Sequence, residues 1–530
     1  MRGRGSRFFC RPINAICVSL VLVAALQVAL DIRRTALIFN ESRARIKQPD
    51  TLDERVSRLP MSNISIEEYI RSHTLPKHMR ACVSLRRPAE ASVFKHKGVY
   101  QRFDLTPNGY PTTDVYFLAF YLDERFLSTG ARYIRTFVTL RGIGPERQAS
   151  KETIHKTAVW SWQVNDTPTH VLLWYDGFAD PLTSQCSTRP AFGITRNVSG
   201  VFFYEHVITC ALPDIDVLPT HVSIAQHACR SASNYVALTR PRAPRSLATR
   251  DIGVCMASLY GTMTSADVPY FVSWMEALRL YGVSEVNMNN ALMTLDNSTR
   301  DVIDYYRATG QLHYSEYPVI HSRWRETEAD AATESTNRMH VAHCFMRNVR
   351  RYWQTLVIDL DELPVPTHTD TYTDAINTIH RRNATLSDAH CLTMRSAFFY
   401  LDFDVGNASF GEHLPLHRYT RRFRSEPVQL GHHDGLGLGK SLHNPRRVVA
   451  MGHHLCRSSH VELGVELLKH SFVDESDLLI HHYRKTCKYT PDCRNATRIV
   501  QDDTVPRAIG SQLRSRVERI LKAVNFPFKQ

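Results

Sequence analysis

The chain has 530 residues, of which 43% are hydrophobic and 22% charged, with a formal net charge of +13. That balance excludes a disordered or collagen-like polymer and leaves room for more than one globular core. The basic residues are dispersed, with nothing denser than short runs such as Arg421-Arg422 with Arg424, so the charge describes a solvated surface facing anionic substrates and a membrane, not a nucleic-acid footprint.

Arg2, Arg4, Arg7 and Arg11 precede an uncharged run from Ile13 to Leu30. As a helix rising about 1.5 Å per residue it would be roughly 27 Å long, enough for the thinner bilayers of the early secretory pathway. Arginine ahead of the span favours a cytosolic amino terminus. The expectation is a cytosolic tail over 1–12, a transmembrane signal anchor over 13–30 and everything after it in the lumen. A cleaved signal peptide is the alternative, but the apolar run is long for one and no small-x-small cleavage site follows. Eight N-x-Ser/Thr acceptors lie beyond the span, at Asn40, Asn63, Asn165, Asn197, Asn297, Asn383, Asn407 and Asn495, in agreement with a lumenal address. Ten of the twelve cysteines lie there too, and in an oxidising compartment several should pair. Cys487 and Cys493 are close enough to staple a local loop.

Residues 31–90 are polar with little periodicity and predict a lumenal stem. From 91 to 245, short β-type runs separated by turn signals (114–121, 133–139, 170–175 and 200–204) predict a β-rich accessory domain. Trp160, Trp162 and Trp174 read there as core aromatics, with stacking on a glycan as the alternative. Pro241 and Pro244 mark a linker.

From 250 to 525 the rhythm changes to alternating strands and helices. Strands are expected at 252–259, 283–288, 312–317 and 356–359, with helices at 268–280, from a Ser298 or Thr299 cap to Gly310, and at 333–352. That alternation predicts a parallel sheet with helices on both faces. The fourth strand ends abruptly in Asp359-Leu360-Asp361-Glu362, at the carboxyl edge where open α/β sheets bind ligands. If the backbone stays extended, Asp359 and Asp361 face one side and can share a hard divalent cation with a diphosphate. Two similar patterns, Asp214-Ile215-Asp216 and Asp402-Phe403-Asp404, read as a loop and a second strand end.

Together these segments resemble glycosyltransferase family 92, Golgi type II membrane enzymes with a GT-A nucleotide-sugar-binding fold. The resemblance rests on Ala119 to Arg125, Cys210 to Pro213, Cys255, Phe271, Trp274-Met275-Glu276, Gly282, Tyr306, Gly310, Cys344, the acidic cluster with Pro366, and His482-Tyr483-Arg484. Two positions depart from the family pattern: His343 stands where an acidic residue is usual, and Asn289 or Asn290 where an aromatic is.

The resemblance implies an inverting, metal-dependent transfer of galactose from UDP-galactose to a glycan or glycoprotein acceptor. Asp361 would ligate Mn²⁺, Asp359 would contact ribose or metal, and Glu362 would stand behind them. The resemblance also brings His482 to the metal as a third ligand, and Arg484 could pair with phosphate oxygens. Lys440, after Gly435 to Gly439, belongs either to a flexible loop over the donor or to a plain turn, and His453-His454 could line the same site. Glu412 and Asp434 are the alternatives for the base that deprotonates the acceptor. A non-catalytic lectin-like membrane glycoprotein or pseudoenzyme is the competing reading, and the oligomeric state is not legible.

Overall fold

The structure is a computed structural model. It describes residues 79–88, 95–96, 100–105, 113–125, 132–143, 169–190, 195–198, 201–213, 217–243, 250–291, 293–317, 326–400, 415–423, 439–452, 456–459, 470–484 and 499–527, with Glu68 and Leu75. The expected span 13–30, most of the stem, Trp160, Trp162, both look-alike acidic patterns, Glu412, Asp434, His453, His454, Cys487 and Cys493 lie outside the described residues. No helix among the described residues is long and apolar enough to cross a membrane.

Residues 79–239 form a twelve-stranded sheet. Its central strand, Tyr133–Ile143, pairs on one edge with Val201–Ala211 from Ile143↔Val201 to Tyr133↔Ala211. The other edge is shared by Thr113–Phe117 and Phe120–Asp123. Following the remaining pairings through Val236–Thr239, His221–Ala225, Thr169–Trp174 and Leu182–Pro190 leads back to Val201–Ala211, so the sheet closes into a ring. Alternation along the strands sends Phe120, Leu122, Ile134, Val138, Leu173 and Ile208 into one core, while Tyr121, Phe137 and Val207 point outward. Trp174 is buried with its Nε1–H on Ser223 Oγ at 3.0 Å, a core residue and not a glycan platform.

The second sheet begins with β1 (Ile252–Met256). It continues through α1 (Val268–Leu280), β2 (Val283–Asn290), α2 (Asn297–Ala308), β3 (Leu312–Glu316), α3 (Glu326–Asn348) and β4 (Gln354–Ile358). These four strands are parallel in the order β3-β2-β1-β4. Gly253 is required in β1, because a Cβ there would sit 2.1 Å from the Tyr352 ring. Even-numbered side chains of β1 and β4 (Val254, Met256, Leu356, Ile358) join α1 and α2 in the main core. Cys255 and Val357 face the other way, against Val341 and Phe345 of α3 and the outside of the ring. The helices therefore cover both faces of the parallel strands.

Local chemistry explains where two expected boundaries shift. Asp296, not Ser298 or Thr299, caps α2, because its carboxylate accepts from Thr299 N–H at 2.9 Å. Helix α3 starts before Thr333 and ends before Tyr352, its last turn closed by Asn348 Nδ2 donating to Cys344 O at 2.9 Å. Three disulfides, Cys82–Cys229, Cys186–Cys210 and Cys255–Cys344, join described cysteines, and Cys391 is also disulfide-bonded.

Beyond β4 the sheet gains β5 (Glu362–Pro366), β6 (Cys391–Tyr400), β7 (Lys440–His443) and β8 (Leu478–Arg484). Strand β7 lies antiparallel between β4 and β6, and β8 lies between β5 and β6.

Candidate active site

The acidic segment does not stay extended. Glu362 N–H donates to Asp359 O at 3.2 Å, which folds Asp359–Glu362 into a turn between β4 and β5. Asp359 N–H in return donates to Glu362 Oε2 at 3.0 Å. The aspartates consequently diverge, correcting the expectation that they share a face. Asp359 Oδ2 accepts from Lys440 Nζ at 2.8 Å, whereas Asp361 Oδ2 lies 3.1 Å from His482 Nε2.

Exposure separates the roles. The Asp361 side chain is 45% exposed and Asp359 31%, while Glu362 is 3% and Lys440 0% exposed. Burial pushes the Glu362 carboxyl above the usual carboxylate range; Lys440 opposes the rise and Asp359 adds to it. Lys440 opens a buried strand, so it belongs to neither a loop over the donor nor a plain turn.

The sheet delivers His482 to this point. In register, His482 faces Glu362 across β5–β8 and Phe398 across β6–β8. Its ring stacks on Phe398 with centroids 4.8 Å apart, and Arg484 Cζ lies 5.8 Å from the Phe398 centroid. Arg484 Nε–H donates to His482 Nε2 at 3.1 Å, and His482 Nδ1 lies 3.5 Å from Glu362 Oε1. His482 Nε2 and Asp361 Oδ2, each of a type that can ligate a cation, are held 3.1 Å apart. A buried carboxylate behind the histidine is the usual orienting partner of a metal-binding imidazole. No three His, Cys, Asp or Glu side chains among the described residues form a group able to hold a metal alone. A hard cation held by Asp361 and His482 would need its remaining ligands from a diphosphate or water.

Two contacts from α1 fix the turn, and the sequence reading passed over them. Trp274 Nε1–H donates to Glu362 O at 2.7 Å, and Tyr270 OH to Leu360 O at 3.3 Å. Their four-residue spacing puts both on one helix face, which was the available signal. From the other side, Tyr483 N–H donates to Asp361 O at 2.7 Å. Phe398 had no local signal beyond its apolar run.

The two departures from the family pattern are neighbours. Tyr317 N–H donates to Asn289 Oδ1 at 3.2 Å, and Tyr317 OH lies 3.3 Å from His343 Nε2. His343 Nδ1 meets Tyr121 OH, and Asn289 Nδ2 donates to His340 Nδ1 at 2.6 Å. Burial, with Arg347 and His313 adding to it, lowers the His343 imidazole to about 3, so that ring is neutral at physiological pH.

A family model described as Glycosyltransferase family 92 matches residues 250–515. No curated protein sequence matches the chain. Among solved structures, a fragment (residues 1–349) of TarS from S. aureus aligns at 12% identity and a TM-score of 0.19, covering 37% of this chain and 47% of that one. The galactosyltransferase LgtC, in complex with donor and acceptor sugar analogues, aligns at 9% identity and a TM-score of 0.22, covering 51% of this chain and 95% of that one. Scores this low bear on neither fold nor function. The family match takes in half of the chain and every residue of the acid turn, the histidine strand and Lys440: the chain belongs to glycosyltransferase family 92.

Proposed function

We propose that this glycosyltransferase moves galactose from UDP-galactose to a glycan or glycoprotein acceptor, with inversion and with Mn²⁺, on a GT-A framework. The observation that supports the reading is the pairing of Asp361 with His482 at 3.1 Å beside the partly exposed end of a parallel strand. Asp361 and His482 would hold a divalent cation, which when bound would offset the charge that builds on the leaving diphosphate. Asp361 supplies an anionic oxygen at the surface, Glu362 orients His482 from behind, and Arg484 offers its guanidinium to phosphate oxygens. Either Glu412 or Asp434 takes the acceptor proton. Galactose and the β linkage rest on the family resemblance, as does a Golgi membrane location with residues 13–30 as the anchor.

Purified full-length protein in detergent, offered a panel of nucleotide sugars with glycan acceptors, tests this. UDP-galactose should be consumed in the presence of Mn²⁺ and spared in EDTA. Glycan affinity without metal-dependent consumption of any donor would favour the lectin-like reading instead.

A further inference from the structure

Lys440 differs from the other basic residues of this site in being wholly buried, with 0% of its side chain exposed. Its Nζ is 2.8 Å from Asp359 Oδ2 and 3.1 Å from Glu362 Oε2. Its backbone is fixed on two sides, since β7 pairs with β4 at Leu356↔Leu442 and with β6 at Met394↔Lys440. At the preceding residue the backbones approach so closely that a Cβ on Gly439 would meet Met394 O at 2.6 Å. The ammonium is thus a compact charge delivered to one place, between two carboxylate oxygens. His482 lies 3.1 Å from Asp361 Oδ2 and 3.5 Å from Glu362 Oε1, the other oxygen of the carboxylate that Lys440 holds.

We propose that Lys440 is a built-in counter-cation that withholds Asp359 and Glu362 from metal binding, leaving a divalent ion only Asp361, His482 and the diphosphate of the donor. The inference rests on the metal reading above and adds to it that Asp359, which the resemblance offers to ribose or metal, is held out of the ligand set. A cation claiming Asp359 would have to leave a buried ammonium with one carboxylate fewer, and an under-compensated buried charge is strongly unfavourable. The protein alone then offers too few ligands for tight binding, and metal and nucleotide are taken up together.

Mn²⁺ binding to the full-length protein in detergent, followed by electron paramagnetic resonance with and without UDP, tests the lysine apart from activity. With UDP, Asp361→Asn should weaken Mn²⁺ binding by about tenfold or more, and Asp359→Asn by less than about threefold. Without UDP, Lys440→Met should strengthen Mn²⁺ binding by about tenfold or more, and adding Asp359→Asn should remove that gain. Wild-type protein that takes up no Mn²⁺ even with UDP overturns the metal reading and this inference with it. If wild type does bind but Asp359→Asn costs as much as Asp361→Asn, the lysine role alone is overturned. A folded Lys440→Met that gains nothing overturns it equally; should that variant fail to fold, the comparison of the two aspartates decides.

Discussion

Arg135 donates its Nε–H to Asp123 Oδ2 at 2.7 Å on the outward face of the closed ring, with 1% and 0% of the two side chains exposed. The same guanidinium donates to Thr209 Oγ1 at 2.9 Å from the facing strand. Removing Asp123 would take a carboxylate away from a fully buried guanidinium. Asp123→Ala should therefore cost about 3–5 kcal/mol, whereas Asp304→Ala, which breaks the exposed pair with Arg307, should cost under about 1 kcal/mol. Denaturant midpoints of the two variants check the contrast.

Asp361→Asn keeps size while deleting the one anionic oxygen that faces His482 Nε2. Turnover should fall by about 10² or more, on the order of 3 kcal/mol of transition-state stabilisation, with the thermal midpoint unchanged because the side chain is half in solvent. Asp216→Asn, in one of the look-alike patterns, should be near neutral. Side-by-side kinetics over a Mn²⁺ titration measure both, and an active Asp361→Asn would move the metal elsewhere.

Cysteine reactivity gives an independent check on the fold. Cys82, Cys186, Cys210, Cys229, Cys255, Cys344 and Cys391 are all disulfide-bonded, so mass spectrometry should find them unalkylated in denaturant and alkylated only once reductant is added. Because the Cys82–Cys229 bridge closes a separation of 147 residues, replacing both with alanine should cost about 2–5 kcal/mol.

Acid should weaken the protein partly through His343. Burial, reinforced by Arg347 and His313, holds its imidazole at about 3 in the folded chain against an ordinary value of 6.5. The unfolded chain takes up the proton first, so the stability from this group is complete above the ordinary value and is lost as pH falls toward the folded one. Across that window each pH unit removes up to about 1.4 kcal/mol. Thermal midpoints measured between neutral and mildly acid pH should decline, and His343→Gln should make the decline shallower.

Helix α1 was legible in the chain to its end residues, because Pro269 suits a first turn and Gly282, at φ 98°, ends the element. The parallel strands were legible from their apolar runs, and the acid at the end of β4 marked the site. The turn through Asp359–Glu362 was not, since its shape depends on Lys440, distant in sequence, and on Trp274 from α1. Nothing in a local pattern of alternating carboxylates distinguishes an extended pair from one parted by a backbone hydrogen bond. The same limit hid the cluster of Asn289, Tyr317 and His343, whose members come from three separate segments.

Ring closure has a consequence for how this protein behaves when crowded in the compartment where it folds. Tyr133–Ile143 and Val201–Ala211 spend their edge amides on each other and on flanking strands. Among the described residues the first sheet ends in short pieces, Met79–Ala81, Lys95–His96 and Thr195–Val198. Edges of that length, one of them carrying a lysine, give a second chain little to pair with. Among the described residues, this sheet thus presents mostly short edges as templates for edge-to-edge aggregation, although it holds two strands of 11 residues.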